Sequence, residues 1–153
     1  MDATIALRLP RDAASVPLIR RMFDGTLRSL GVVPQVRDDI ELMLTEACAN
    51  VVRHAEPSDD YTVTAGVHDD LCVIRVVDTG SGFDPRLVRT PAPGEESGRG
   101  LVIMRALADD VRFISRREHG VVVALEKRLR FEPGAAGLAL GGGNGRRASP
   151  SGP

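Results

Sequence analysis

"TEACANVVRHA", residues 45–55, is the stretch on which the fold turns. Around it, Ile40, Leu44, Ala47, Val51 and Ala55 fall on one stripe at about 100° per residue, the mark of an amphipathic helix. Glu46, Asn50 and His54 recur every fourth residue beside that stripe. Four-residue spacing stacks side chains on one helix face. The row therefore borders the core, where a cleft wall would stand. Asparagine is mildly unfavourable inside a helix. The row is either the solvated face of the helix or the polar wall of a site.

Outward from this helix, the pattern predicts a strand at residues 4–9 and a helix from about Asp12 to Gly31. Pro34 opens the 45–55 helix and Pro57 closes it. Residues 61–67 alternate, with Tyr61, Val63, Ala65 and Val67 on one side, and 71–78 form a second strand of a hairpin. An irregular Gly/Pro/Ser-rich stretch runs from Thr79 to Ser97, a length that points to function. Gly98 to Ala108 reads as a helix, and residues 111–116 and 121–129 as a closing hairpin. The order β-α-α-β-β-α-β-β implies an α+β fold with helices on one face of a mixed, mostly antiparallel sheet. Residues 1–131 form the expected domain, and 132–153 a disordered Gly/Ser-rich tail.

Composition narrows the function. The chain has 153 residues, 42% of them apolar, enough for one domain with a real core. A formal charge of −1 speaks against a dedicated nucleic-acid binder. Lys127 is the only lysine, so there is no P-loop. Cys48 and Cys72 lie in apolar runs without C-x-x-C spacing, as buried thiols in a reducing compartment would. With no apolar run of membrane length and no signal-peptide layout at the start, the expectation is a soluble cytoplasmic protein without membrane contact.

Two further signals accompany the polar row. In "VIRVVDTGSGFDP", 73–85, Asp78 shares a strand face with Cys72, Ile74 and Val76. A carboxylate at the end of an apolar strand needs a donor, and a bound adenine amine is one candidate. Gly80 and Gly82 let the backbone turn and approach a ligand. In "SGRGLVIM", 97–104, Gly98 and Gly100 open a helix whose free N–H groups suit phosphate, with Arg99 and Arg105 close in sequence.

In this order, Glu-x-x-x-Asn on a helix, D-x-G-x-G after a strand and G-x-G at a helix start resemble the asparagine and glycine boxes of the GHKL ATP-binding superfamily, over residues 1 to about 130. "LTEACANVVRHA" and "GRGLVIMRALADDV" resemble its anti-sigma-factor serine/threonine kinases of the stress and sporulation-regulator type. The resemblance implies a two-layer α/β sandwich of the Bergerat type that binds ATP with Mg²⁺. It implies that Asn50 coordinates the metal and that Glu46 is the catalytic base toward a serine hydroxyl. Asp78 would hold adenine, Gly80 and Gly82 would shape its pocket, and residues 86–97 would form the lid. Gly98, Arg99, Gly100 and Arg105 would meet the phosphates. His54 would either contact the nucleotide region or simply end the helix. The implied partners are a sigma factor and an anti-sigma-factor antagonist, with a homodimer and no direct nucleic-acid contact. The sequence departs from the pattern at Val121, where a threonine is frequent, and in a lid without lysine. The alternative function is a nucleotide-dependent binding module without phosphotransfer. A detached histidine-kinase catalytic domain would need an acceptor histidine in a better setting than His54, His68 or His119.

Overall fold

Alternation of apolar and polar residues builds the sheet. The computed structural model describes residues 2–54, 60–78, 99–116 and 120–141. Along the chain these form β1 (Asp2–Pro10), α1 (Ser15–Ser29), α2 (Pro34–His54), β2 (Asp60–His68), β3 (Leu71–Asp78), α3 (Arg99–Leu107), β4 (Asp110–Arg116), β5 (Gly120–Arg128) and α4 (Ala136–Gly141). The first eight follow the predicted order. The strands lie in the order β1-β2-β3-β5-β4. The sequence predicted a mixed, mostly antiparallel sheet, and every pairing among the described residues is antiparallel. The β2–β3 turn is two residues long, and Asp69 takes a left-handed φ of 53° there. Aspartate tolerates that conformation better than most residues.

Strand register carries the alternation across the sheet. Leu7, Val63, Val76, Val123 and Phe113 form one cross-strand row, and Ile5, Ala65, Ile74, Leu125 and Val111 the next. A third row begins as Leu9 and Tyr61 and ends on Asp78. The carboxylate thus occupies the position that an apolar residue would continue. On the helical layer, Ile19, Phe23 and Leu27 of α1 and Ile40, Met43, Leu44, Ala47, Cys48 and Val51 of α2 are buried and join the same core. Ala55 of the predicted stripe lies outside the described residues.

α1 starts later than the sequence suggests. Asp12 diverts the chain first: its carboxylate accepts the Ala14 amide at 2.9 Å, and its carbonyl accepts the Ser15 amide at 2.9 Å. Such local Asx bonds compete with helix. Gly31 ends α1 with φ +81°. A Cβ at that position would press into Ala135.

That contact belongs to the clearest departure from the sequence reading. Residues 132–141, expected to be part of a disordered tail, are docked against the α1–α2 turn. Phe131 bridges to Val32, Glu132 donates its amide to the Gly31 carbonyl at 2.8 Å, and Gly137 donates to Leu30 at 2.9 Å. Backbone hydrogen bonds and one aromatic anchor hold a segment whose Gly/Ala composition advertises no core. The ordered unit therefore extends to Gly141 rather than Phe131; residues 142–153 lie outside the described set. No helix among the described residues is long and apolar enough to cross a membrane.

Buried polar groups give the core a defined pH limit. The Tyr61 hydroxyl lies 2.5 Å from that of Ser15 and also bonds the Cys48 thiol. Burial pushes the thiols of Cys48 and Cys72 from 9.0 up to about 12, and the Tyr61 hydroxyl from 10.0 to about 12. Above pH 9 the unfolded chain releases thiol protons that the folded chain retains. Stability is therefore fully present below pH 9 and falls as pH rises from there toward 12. The slope is of order 1.4 kcal/mol per thiol per pH unit. Urea unfolding at pH 8 and pH 10 should show a clearly lower midpoint at pH 10; equal midpoints would contradict burial of the thiols.

Candidate functional site

The site is assembled where α2 and α3 converge. α2 carries Glu46 and Asn50 one turn apart, both half-buried beside its core stripe. α3 packs against this flank, with Gly100, Leu101 and Met104 turned inward. The meeting point is close. A Cβ placed on Gly100 would stand 2.8 Å from Glu46 Oε2, 3.4 Å from Glu46 Cβ and 3.4 Å from Asn50 Nδ2. Hydrogen at this position lets the start of α3 approach the carboxylate and amide together.

Two polar ties fix the helices relative to each other. Lys127 of β5 donates to the Leu107 carbonyl at the end of α3 at 2.5 Å, and pairs with Asp39 of α2 at 3.1 Å. A cation at a helix C-terminus satisfies a carbonyl left over by the helix and complements its dipole. The only lysine in the chain is thus a brace between α2, α3 and the sheet.

Asp78 is the last residue of β3 and is buried. Its Oδ1 forms an ion pair with Arg11, whose side chain is only 1% exposed. The sequence reading asked for a donor to this carboxylate and missed Arg11. The signal was present in the register: Pro10 ends β1 opposite Asp60, which puts Arg11 just past the Leu9–Tyr61–Asp78 row. Removing one partner of such a buried pair typically costs about 3–5 kcal/mol, more than the roughly 1.5–3 kcal/mol of one hydrogen bond to a charged group.

The remaining assignments divide. Arg99 opens α3 and is exposed at its start. Arg105 lies in the last turn, about 9 Å further along the axis. The two arginines stand at opposite ends of α3. His54 is the last residue of α2, with its side chain outside the described set. Gly80, Gly82, Gly98 and the lid at 86–97 also lie outside it, as does the side chain of Val121.

Gly100→Ala tests the close approach. Alanine in a helix is favoured over glycine by up to about 1 kcal/mol, so the melting temperature should hold or rise slightly. The added methyl must displace the Glu46 carboxylate. A misplacement of about 1 Å costs on the order of 10² in rate. Unchanged chemistry in a stable Gly100→Ala protein would show that Glu46 does not need this position.

The chain is similar in sequence and in fold to known proteins. The model of the histidine kinase-like ATPase domain matches residues 9–127. A serine-protein kinase RsbW of Bacillus cereus is 29% identical over 140 residues, covering 84% of this chain and 86% of the relative. The RsbW of Bacillus mycoides is 27% identical over the same shares. In fold, the chain is similar to the crystal structure of the RsbU and RsbW domains of a Mycobacterium tuberculosis protein (TM-score 0.65, 19% identity). That match covers 83% of this chain and 32% of the longer one. It is also similar to a chain of the SiaB–SiaC complex of Pseudomonas aeruginosa (TM-score 0.57, 12% identity), over 82% of this chain and 88% of that one. Because the family model spans most of the sequence, the chain belongs to the histidine kinase-like ATPase family.

Proposed function

We propose that this protein is an ATP-dependent serine/threonine kinase that sequesters a sigma factor and phosphorylates the antagonist of that interaction. The observation that carries the reading is the convergence of Glu46 and Asn50 on Gly100. Relatives spanning nearly the whole chain are named serine-protein kinases. In this reading Asp78 accepts a hydrogen bond from the adenine amine, and the start of α3, with Arg99, faces the phosphates.

Mg²⁺ belongs to the reading with the nucleotide rather than as a resident ion. Among the described residues no group of three or more His, Cys, Asp or Glu side chains could hold a metal. The Asn50 amide and the Glu46 carboxylate supply only hard oxygen donors, which suits an ion that takes most of its ligands from phosphates and water. Asn50 would hold it; when bound it neutralises charge on the phosphates.

Glu46 accepts the proton of the antagonist's serine hydroxyl as that oxygen attacks the γ-phosphorus. The new Ser O–P bond forms while the bond between the γ-phosphorus and the β–γ bridging oxygen breaks, and ADP departs with that electron pair. A neutral hydroxyl needs such a base, whereas binding alone does not. The test of metal placement is calorimetric. Wild type should bind ATP far more tightly with Mg²⁺ than with EDTA, and Asn50→Ala should lose that difference. An Asn50→Ala protein that keeps the full Mg²⁺ dependence would remove Asn50 from the metal site.

A further inference from the structure

The pair formed by Arg11 and Asp78 has a use beyond filling the end of the third cross-strand row. It rests on the reading of Asp78 as the adenine acceptor and deepens it. We infer that Arg11 is the positioning residue for base selection: it holds Asp78 ionised and oriented, so that the carboxylate presents an acceptor, and only an acceptor, to the exocyclic amine of an adenine nucleotide.

The observations are geometric. Arg11 Nη2 engages Asp78 Oδ1, and both side chains are withdrawn from solvent. The guanidinium sets its positive charge against Oδ1, the partner that an ionised carboxylate provides. An ionised carboxylate accepts at two oxygens with about four lone-pair directions, so Arg11 on one oxygen is compatible with a further donor. A carboxylate without a counter-charge in such a place would take up a proton and become a donor on one oxygen. It would then lose its preference for an amine over a carbonyl. The base cannot simply replace Arg11. Displacement would take the buried guanidinium off its carboxylate, and one neutral amine returns less than that costs. Arg11 is also anchored locally, because the turn at Asp12 that follows it is closed by the Ala14 and Ser15 hydrogen bonds.

The experiment compares ADP with purine riboside diphosphate, which lacks only the exocyclic amine. Wild type should prefer ADP by roughly 10- to 100-fold, the worth of one hydrogen bond to a charged acceptor. Arg11→Met and Arg11→Gln should bring ADP down to the affinity of the deamino nucleotide and leave the latter unchanged. Arg11→Lys, which keeps the charge, should retain most of the preference. Equal weakening of both nucleotides would make Arg11 merely structural, and an unchanged ratio would remove it from base selection; either overturns the inference. Tighter ADP binding by Arg11→Met would do the same, by making Arg11 a competitor of the base. Absence of any preference in wild type would instead refute the adenine role of Asp78 itself. Should the neutral variants fail to fold, the side-chain N–H resonance of Arg11 in wild type decides. It stays protected from exchange when ADP saturates the protein if Arg11 remains on Asp78, and its loss on ADP binding contradicts the inference.

Discussion

Glu46→Gln should abolish serine phosphorylation while leaving nucleotide affinity nearly intact. Glutamine preserves the length and hydrogen-bonding reach of the side chain beside Gly100 but cannot take a proton. Loss of a general base typically costs roughly 10²–10⁴ in rate. The base acts on the protein substrate, so the loss falls on transfer and not on ATP binding, and sigma-factor binding persists. The result is an inhibitor whose antagonist can no longer be inactivated by phosphorylation. Single-turnover transfer beside a nucleotide titration checks both halves. Equal transfer by Glu46→Gln and wild type would remove Glu46 from the chemistry; a parallel collapse of ATP binding would make it a binding group.

Asp78→Asn should damage two things at once, and they can be separated. The substitution leaves Arg11 buried opposite a neutral amide. The loss expected from breaking a buried pair, about 3–5 kcal/mol, is a large share of the 5–15 kcal/mol that holds a domain together. Nucleotide selectivity falls as well, because the amide can turn a donor toward the base. Replacing both partners with apolar residues, Arg11→Met with Asp78→Leu, removes the stranded charge and should recover most of the stability. That double variant should still fail to prefer adenine. Chemical unfolding and calorimetry on the two proteins would distinguish the effects; a double variant with wild-type adenine preference would show that recognition of the base lies elsewhere.

Much of this architecture is written in short-range pattern. The alternation of Tyr61, Val63, Ala65 and Val67 predicted a buried face, and register pairs each of them with the inward residues of β3. The four-residue spacing of Glu46 and Asn50 predicted a polar row along a core-facing helix, and it is there. What escaped was set by contacts between distant parts of the chain. Nothing local tells Arg11 that its partner is Asp78. β5 lies between β3 and β4 although β4 precedes it in the chain. Arg99 and Arg105 are close in sequence, yet the helix rise sets them at opposite ends of α3. Residues 132–141 were misread because composition reports the average cost of ordering a segment, and not the few backbone bonds and the one Phe131 ring that hold this one.

The central claim is phosphotransfer, and one measurement meets it directly. Wild-type protein is mixed with Mg²⁺, ATP and candidate anti-sigma-factor antagonists, and phosphoserine on the antagonist is read by mass spectrometry against ADP released. The account predicts one phosphate on one serine or threonine of an antagonist for each ADP formed. Nucleotide-dependent binding of the antagonist and the sigma factor, with no phosphorylated residue on any antagonist, would contradict it and leave a nucleotide-gated binding module in its place.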